Sequence, residues 1–186
     1  ASLNMAANRC NTTLSKYLWD ENCQKIPVNA LFDSSLSLAE SALKQGAFNG
    51  YKAVKIKVGR RPLSEEIATV KLFRKYLGHA VELRLDANCG FDLPTALSLA
   101  EDLQDYDVSY IEEPLENTAL LTNFTDQSSI PVALDESLVA DINEGHDPQY
   151  GKGIAAWILK PSLLGISKVL ELIEASRFKN SCVISS

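Results

Sequence analysis

Six polar residues recur along this 186-residue chain at nearly constant intervals: Lys57, Asp86, Glu112, Asp135, Lys160 and Ser185 are separated by 29, 26, 23, 25 and 25 positions. Each interval is about one strand plus the helix that returns the chain, so the six residues fall at successive strand ends. If Asp86, Glu112 and Asp135 converge on one rim, three negative charges in a low-dielectric site repel strongly. A hard divalent cation removes the conflict. Mg²⁺ takes carboxylate oxygens and keeps its other positions for water or substrate oxygens, with Mn²⁺ as the alternative ion. Taken singly, each acid reads equally as an exposed loop residue or a helix cap.

The lysines add a second function. In Val54-Lys55-Ile56-Lys57-Val58 the two ammonium groups share one face of a strand and the three apolar side chains share the other. Neighbouring like charges depress each other's pKa, which moves a lysine towards accepting a proton near neutrality. Lys160, in Ile158-Leu159-Lys160-Pro161-Ser162, comes from a strand roughly opposite. The plainer reading of Lys55 and Lys57 is a solvated strand edge. A metal held by three acids and flanked by lysines suits removal of a proton alpha to a carboxylate. The ion binds the substrate carboxylate and stabilises the enediolate, while a lysine takes the proton.

Elements of the right kind exist to position these groups. In 81–88 the residues Val81, Leu83 and Leu85 are apolar and Glu82, Arg84, Asp86 and Asn88 polar, the period of two of a strand whose faces meet different surroundings. Comparable strands are expected over 26–32, 51–59, 108–114, 131–137, 155–162 and 181–186. Helices are expected over 62–76, 94–104, 118–126 and 167–177, and another is capped by Asp33-Ser34-Ser35 and runs to about Gln45. Residues 1–20 read as helical, and a short helix within 139–153 completes the alternation.

Strand-helix alternation implies parallel strands with right-handed crossovers, hence an open doubly wound sheet or a closed barrel. Neither Gly-x-Gly-x-x-Gly nor Gly-x-x-x-x-Gly-Lys-Ser/Thr follows any strand, which weakens the open sheet. A closed barrel needs eight strands and typically ~250 residues. The expected fold is therefore α/β, an incomplete (β/α) TIM-type barrel of about seven strand-helix units with unpaired edges and a tendency to self-associate.

Composition narrows the function classes. A net charge of −6 argues against a nucleic-acid surface, and no apolar run reaches the ~18 residues of a membrane span. Cys10, Cys23, Cys89 and Cys182 show no Cys-x-x-Cys spacing, and His79 and His146 lie far from them, so neither a zinc site nor a disulfide framework is expected. The start Ala1-Ser2-Leu3, with no signal or transit pattern, is expected of a processed or excised piece.

Five segments, in this order, resemble the barrel domain of the enolase superfamily, muconate-lactonising subgroup: 54–59 (Val-Lys-Ile-Lys-Val-Gly), 84–88 (Arg-Leu-Asp-Ala-Asn), 111–114 (Ile-Glu-Glu-Pro), 134–137 (Leu-Asp-Glu-Ser) and 159–165 (Leu-Lys-Pro-Ser-Leu-Leu-Gly). Within the subgroup the chain looks most like the o-succinylbenzoate synthase family, with dipeptide epimerases, N-succinylamino acid racemases and muconate cycloisomerases as the alternatives that share the same metal site and paired lysines, and an inactive remnant or binding scaffold as the alternative of another class. The resemblance implies that Asp86, Glu112 and Asp135 bind Mg²⁺, that Lys57 is the acid/base, that Lys160 is the opposing cation and that Lys55 tunes Lys57. It further implies that Asn88, Arg84 and Glu136 support these groups and that Ser185 and Ser186 begin a substrate segment. The substrate would be a small carboxylate, and the compartment the cytoplasm or a plastid stroma. By the same resemblance, residues 1–24 are a remnant of, or link from, a missing capping domain, and 25–186 are a partial catalytic barrel lacking its eighth unit.

Overall fold

The computed structural model describes residues 2–13, 16, 26–146, 148, 152–176 and 181–185. Among them the strands are β1 (Ala30–Phe32), β2 (Ala53–Lys57), β3 (Glu82–Asp86), β4 (Val108–Glu112), β5 (Val132–Leu134), β6 (Ile154–Leu159) and β7 (Ser181–Ile184). The helices are α1 (Ser2–Arg9), α2 (Leu36–Lys44), α3 (Leu63–Leu77), α4 (Leu93–Leu103), α5 (Leu121–Gln127), α6 (Glu136–Asn143), α7 (Pro161–Leu164) and α8 (Ile166–Ser176), with a 3-10 turn at Thr118–Leu120 leading into α5. Cys23, Ser186 and, of the helical reading, residues 1, 14, 15 and 17–20 lie outside the described residues.

The sheet has seven strands in the order β1-β2-β3-β4-β5-β6-β7, every neighbouring pair parallel. This is a curled half-barrel. Among the described residues β1 and β7 pair on one side only, as expected of unpaired edges. Register aligns the strand ends: Lys57 stands opposite Asp86, and Asp86 opposite Glu112.

The period of two separates the faces. Val54, Ile56, Leu83, Leu85, Ile111, Val132, Leu134, Trp157 and Leu159 pack outwards against helix residues such as Val70, Phe73, Leu99, Leu103, Phe124 and Val169. A smaller cluster of Tyr110, Ala133, Ala156 and Ile158 fills the concave side. Small residues there leave room above them for the longer polar side chains of the rim. At the other end of the strands the buried Arg74 of α3 donates to the carbonyls of Tyr106, Gly78, Val81 and Asp107, tying down the entries to β3 and β4.

Several local expectations need correction. The strand expected over 131–137 stops at Leu134, and α6 begins at Glu136. The strand expected to run to residue 162 ends at Leu159, because Pro161 opens α7 with its preset φ and missing N–H. Ser35 occupies the N-cap of α2 without a side-chain cap bond. Its hydroxyl contacts Ser37 Oγ, Glu65 accepts from Leu36 N, and Asp33 pairs with Arg60 and Arg61. The cap at Asp92 of α4 does form, accepting from Thr95 N at 2.9 Å.

Candidate active site

Strands β2 to β6 deliver their terminal side chains to one cavity of about 1020 Å³, lined by Lys55, Lys57, Arg84, Asp86, Asn88, Glu112, Asp135, Lys160 and Ser185 among others. Asp86, Glu112 and Asp135 are only 1%, 1% and 2% exposed. Carboxylates so far from water need partners, and the lysines supply them. Lys57 Nζ is 2.6 Å from Asp86 Oδ2 and 2.5 Å from Asn88 Oδ1. Lys55 Nζ bridges two acids, 3.0 Å from Asp86 Oδ2 and 3.1 Å from Glu112 Oε2. On the other side Lys160 Nζ lies 2.6 Å from Asp135 Oδ2. Asp135 Oδ1 is buried with no hydrogen-bond partner among the described residues.

The charges shift one another. Burial pushes the Glu112 carboxyl up to about 8, helped by the charge of Asp86 and opposed by Lys55. Burial also acts upward on Asp86, but the Lys57 hydrogen bond and the Lys55 charge outweigh it and hold that carboxyl below its usual range. Burial acts downward on Lys55, but Glu112 and Asp86 outweigh it and raise it above an ordinary lysine. For Lys55, then, the expected mutual depression of the lysines is overturned, because the pairing to carboxylates dominates. Lys160 is likewise raised, its burial outweighed by Asp135.

The supporting residues divide. Asn88 sits at a left-handed φ of 44°, receives the Lys57 ammonium on its amide oxygen and donates its N–H to Asp86 Oδ1 at 3.2 Å. Arg84 lies deeper, bonded to Glu82 and Asn29 with its guanidinium 5.5 Å from the Tyr110 ring centroid. Glu136 is exposed at the start of α6, 3.5 Å from the Asn88 amide. Ser185 donates its N–H to Leu159 O and lines the cavity.

Sequence reasoning passed over Glu113, which is fully buried behind the rim, and Cys89. A signal existed. Consecutive residues of a strand point to opposite faces, so of Glu112-Glu113 one must turn into the wall and find donors there. Cys89, Glu113 and Glu136 form the described set whose ligand atoms all lie within 4.8 Å of one another. That set suits a metal poorly, since burial pushes the Cys89 thiol up to about 11 and Glu113 Oε1 already accepts three hydrogen bonds. Asp86, Glu112 and Asp135 have the donor chemistry that suits a hard cation: only oxygens, nearly dry, with one oxygen unpartnered and a lysine ammonium on each carboxylate.

Residues 37–143 match the family described as enolase C-terminal domain-like. The chain is 35% identical over 179 residues to protein PHYLLO, chloroplastic, of Arabidopsis thaliana, covering 89% of this chain and 10% of that protein. It is 31% identical over 115 residues to an o-succinylbenzoate synthase of Thermobifida fusca, covering 61% and 36%. To the L-Ala-D/L-Glu epimerase of Bacillus subtilis it is 36% identical over 104 residues, covering 54% and 27%. The substrate-liganded structure of that epimerase superposes with a TM-score of 0.75 at 24% identity, over 99% of this chain and 53% of the other. The chain thus spans well under two thirds of each of these relatives.

Proposed function

Because this chain belongs to the enolase C-terminal domain-like family, in the muconate-lactonising subgroup of the enolase superfamily, we propose that it serves o-succinylbenzoate synthesis. The reaction is abstraction of a proton alpha to a carboxylate, followed by syn loss of water from 2-succinyl-6-hydroxy-2,4-cyclohexadiene-1-carboxylate. The observation that carries the proton-abstraction step is the meeting, in one cavity, of three nearly dry carboxylates and three lysines from five strands; the synthase assignment is supported by similarity to the o-succinylbenzoate synthase of Thermobifida fusca.

In this reading Asp86, Glu112 and Asp135 hold Mg²⁺, with Mn²⁺ as the alternative. When bound, the ion supplies positive charge to the substrate carboxylate where negative charge develops. Lys57 gives up its bond to Asp86 Oδ2 and loses its ammonium proton to solvent; the neutral amine then accepts the alpha proton and returns it to the departing hydroxyl on the same face, which leaves as water. Asn88 steers the Lys57 Nζ through this exchange by its amide oxygen. Lys160 holds a positive charge across the cavity, and Lys55, bridging Asp86 and Glu112, tunes the charge around Lys57. Arg84 and Ser185, which line the cavity, meet the remoter parts of the substrate, and Glu136 supports Asn88.

The proposal also takes residues 1–24 as a remnant of, or a link from, a capping domain and 25–186 as the partial catalytic barrel, places the protein in the cytoplasm or a plastid stroma, and assigns it self-association through the edges β1 and β7. Exposed Ile26, Val28, Leu31 and Ile184 near those edges support the last point. Among the described residues no helix is long and apolar enough to cross a membrane.

The second reading, a dipeptide epimerase, is favoured by the 36% identity to the Bacillus subtilis enzyme. Assays of the purified chain with Mg²⁺ separate the two. The proposal expects o-succinylbenzoate to form from the cyclohexadiene substrate and no epimerisation of L-Ala-L-Glu, and the reverse pattern overturns it.

A further inference from the structure

Helix α6 starts with no loop after β5, so Asp135 is both the last residue before the helix and its N-cap. Asp in that position ordinarily turns its side chain back to accept from the N–H groups of the first turn. Here it makes no such bond. The task falls to another strand: Glu113 Oε1 accepts from Asp135 N at 2.6 Å, from Ser137 N at 2.9 Å and from Ser137 Oγ at 2.5 Å. Glu113 is 0% exposed and its φ of 40° turns it away from the direction of Glu112.

We propose that Glu113 is a positioning residue that caps α6 from the neighbouring strand and thereby releases the Asp135 carboxylate into the cavity. The buried Asp135 N–H and the part-buried Ser137 N–H need an acceptor, and without Glu113 the Asp135 carboxylate would be drawn back to cap the Ser137 N–H. Because Glu113 serves them, Asp135 Oδ2 reaches Lys160 and Oδ1 stays uncommitted. Ser137 completes the grip by donating both its N–H and its hydroxyl to one oxygen. A negative side chain at the N-terminus of α6 also suits the helix dipole. The inference rests on the reading of Asp135 as a metal ligand, and it adds what makes that carboxylate available.

The test uses the 186-residue chain, its Glu113→Ala, Glu113→Gln and Ser137→Ala variants, and three measurements: amide hydrogen exchange at Asp135 and Ser137, the NMR signal of the Lys160 ammonium, and Mn²⁺ affinity from the paramagnetic resonance of free ion. Glu113→Ala is expected to speed exchange at those two amides while β2 and β3 amides are unchanged, to shift the Lys160 signal, and to weaken Mn²⁺ by roughly 10- to 100-fold, the usual cost of losing a group that orients a ligand. Glu113→Gln, which keeps an acceptor oxygen, retains most of the affinity. Ser137→Ala gives a smaller change in the same direction and serves if Glu113→Ala does not fold. Unchanged amide exchange, or faster exchange with unaltered Mn²⁺ affinity, overturns the proposal. If the unsubstituted chain binds no Mn²⁺, the metal reading fails by itself. The amides and the Lys160 signal then decide the cap, which is overturned if both are unmoved.

Discussion

Replacing Lys57 by Ala or by Arg is expected, on the proposed role of Lys57 as the base, to reduce both exchange of the substrate alpha proton with solvent and the dehydration that follows by about 10²- to 10⁴-fold, the range for a positioned general base. The two substitutions fail for different chemical reasons that lead to one result. Alanine removes the base, whereas arginine keeps a cation beside Asp86 but stays protonated and cannot accept a proton. Lys57 reaches Asp86 and Asn88 from the end of β2, so either change leaves the outward core of that strand intact. Proton exchange in deuterated solvent, followed by NMR, reads the first step separately from product formation. Exchange that persists in Lys57→Arg assigns the base elsewhere.

Lys160 is expected to split the same two substitutions. It faces the cavity from the end of β6 with its ammonium 2.6 Å from Asp135, an arrangement that keeps a positive charge in place. In a syn elimination the proton and the hydroxyl leave from one face, so one lysine can serve both and the other need only stabilise charge. Lys160→Arg therefore retains measurable dehydration, and Lys160→Ala loses about 10²- to 10³-fold, as when a charge-stabilising donor is removed from an active site. An enzyme that inverts a stereocentre needs a base on each face. If Lys160→Arg is as inactive as Lys57→Arg while substrate still binds, both lysines are bases and the epimerase reading takes over.

The architecture was legible in the sequence because period-two segments and helical segments alternate, and strands β2 to β6 are buried on their helix side by Val, Ile, Leu or Trp. Six of the seven strands fall inside the segments read for them, β6 starts one residue earlier at Ile154, and most differences are at strand ends. Those differences share a cause. At 134–136 and 159–161 the chain passes from strand to helix within two residues, and a carboxylate or an ammonium occupies the corner. Alternation cannot reveal such a corner, because a polar residue at a strand end and a polar residue at a helix N-cap look the same.

The rim residues were legible for a related reason: equal spacing on a parallel sheet places their side chains at one level. Their pairing was not legible. Whether Lys55 meets Lys57 or lies between Asp86 and Glu112 depends on side-chain reach across two strands, which sequence spacing does not encode. Glu113 was missed because its partners, Asp135 and Ser137, come from the next strand and helix, and one-dimensional patterns carry no information on cross-strand capping.

The central claim, that Asp86, Glu112 and Asp135 together hold a divalent cation, is tested most directly by calorimetric titration of the chain with Mg²⁺. One site saturating by millimolar ion is predicted, lost in Asp86→Asn, Glu112→Gln and Asp135→Asn and kept in Cys89→Ser. No binding at millimolar Mg²⁺, or binding that survives the three carboxylate substitutions and disappears with Cys89→Ser, would contradict it.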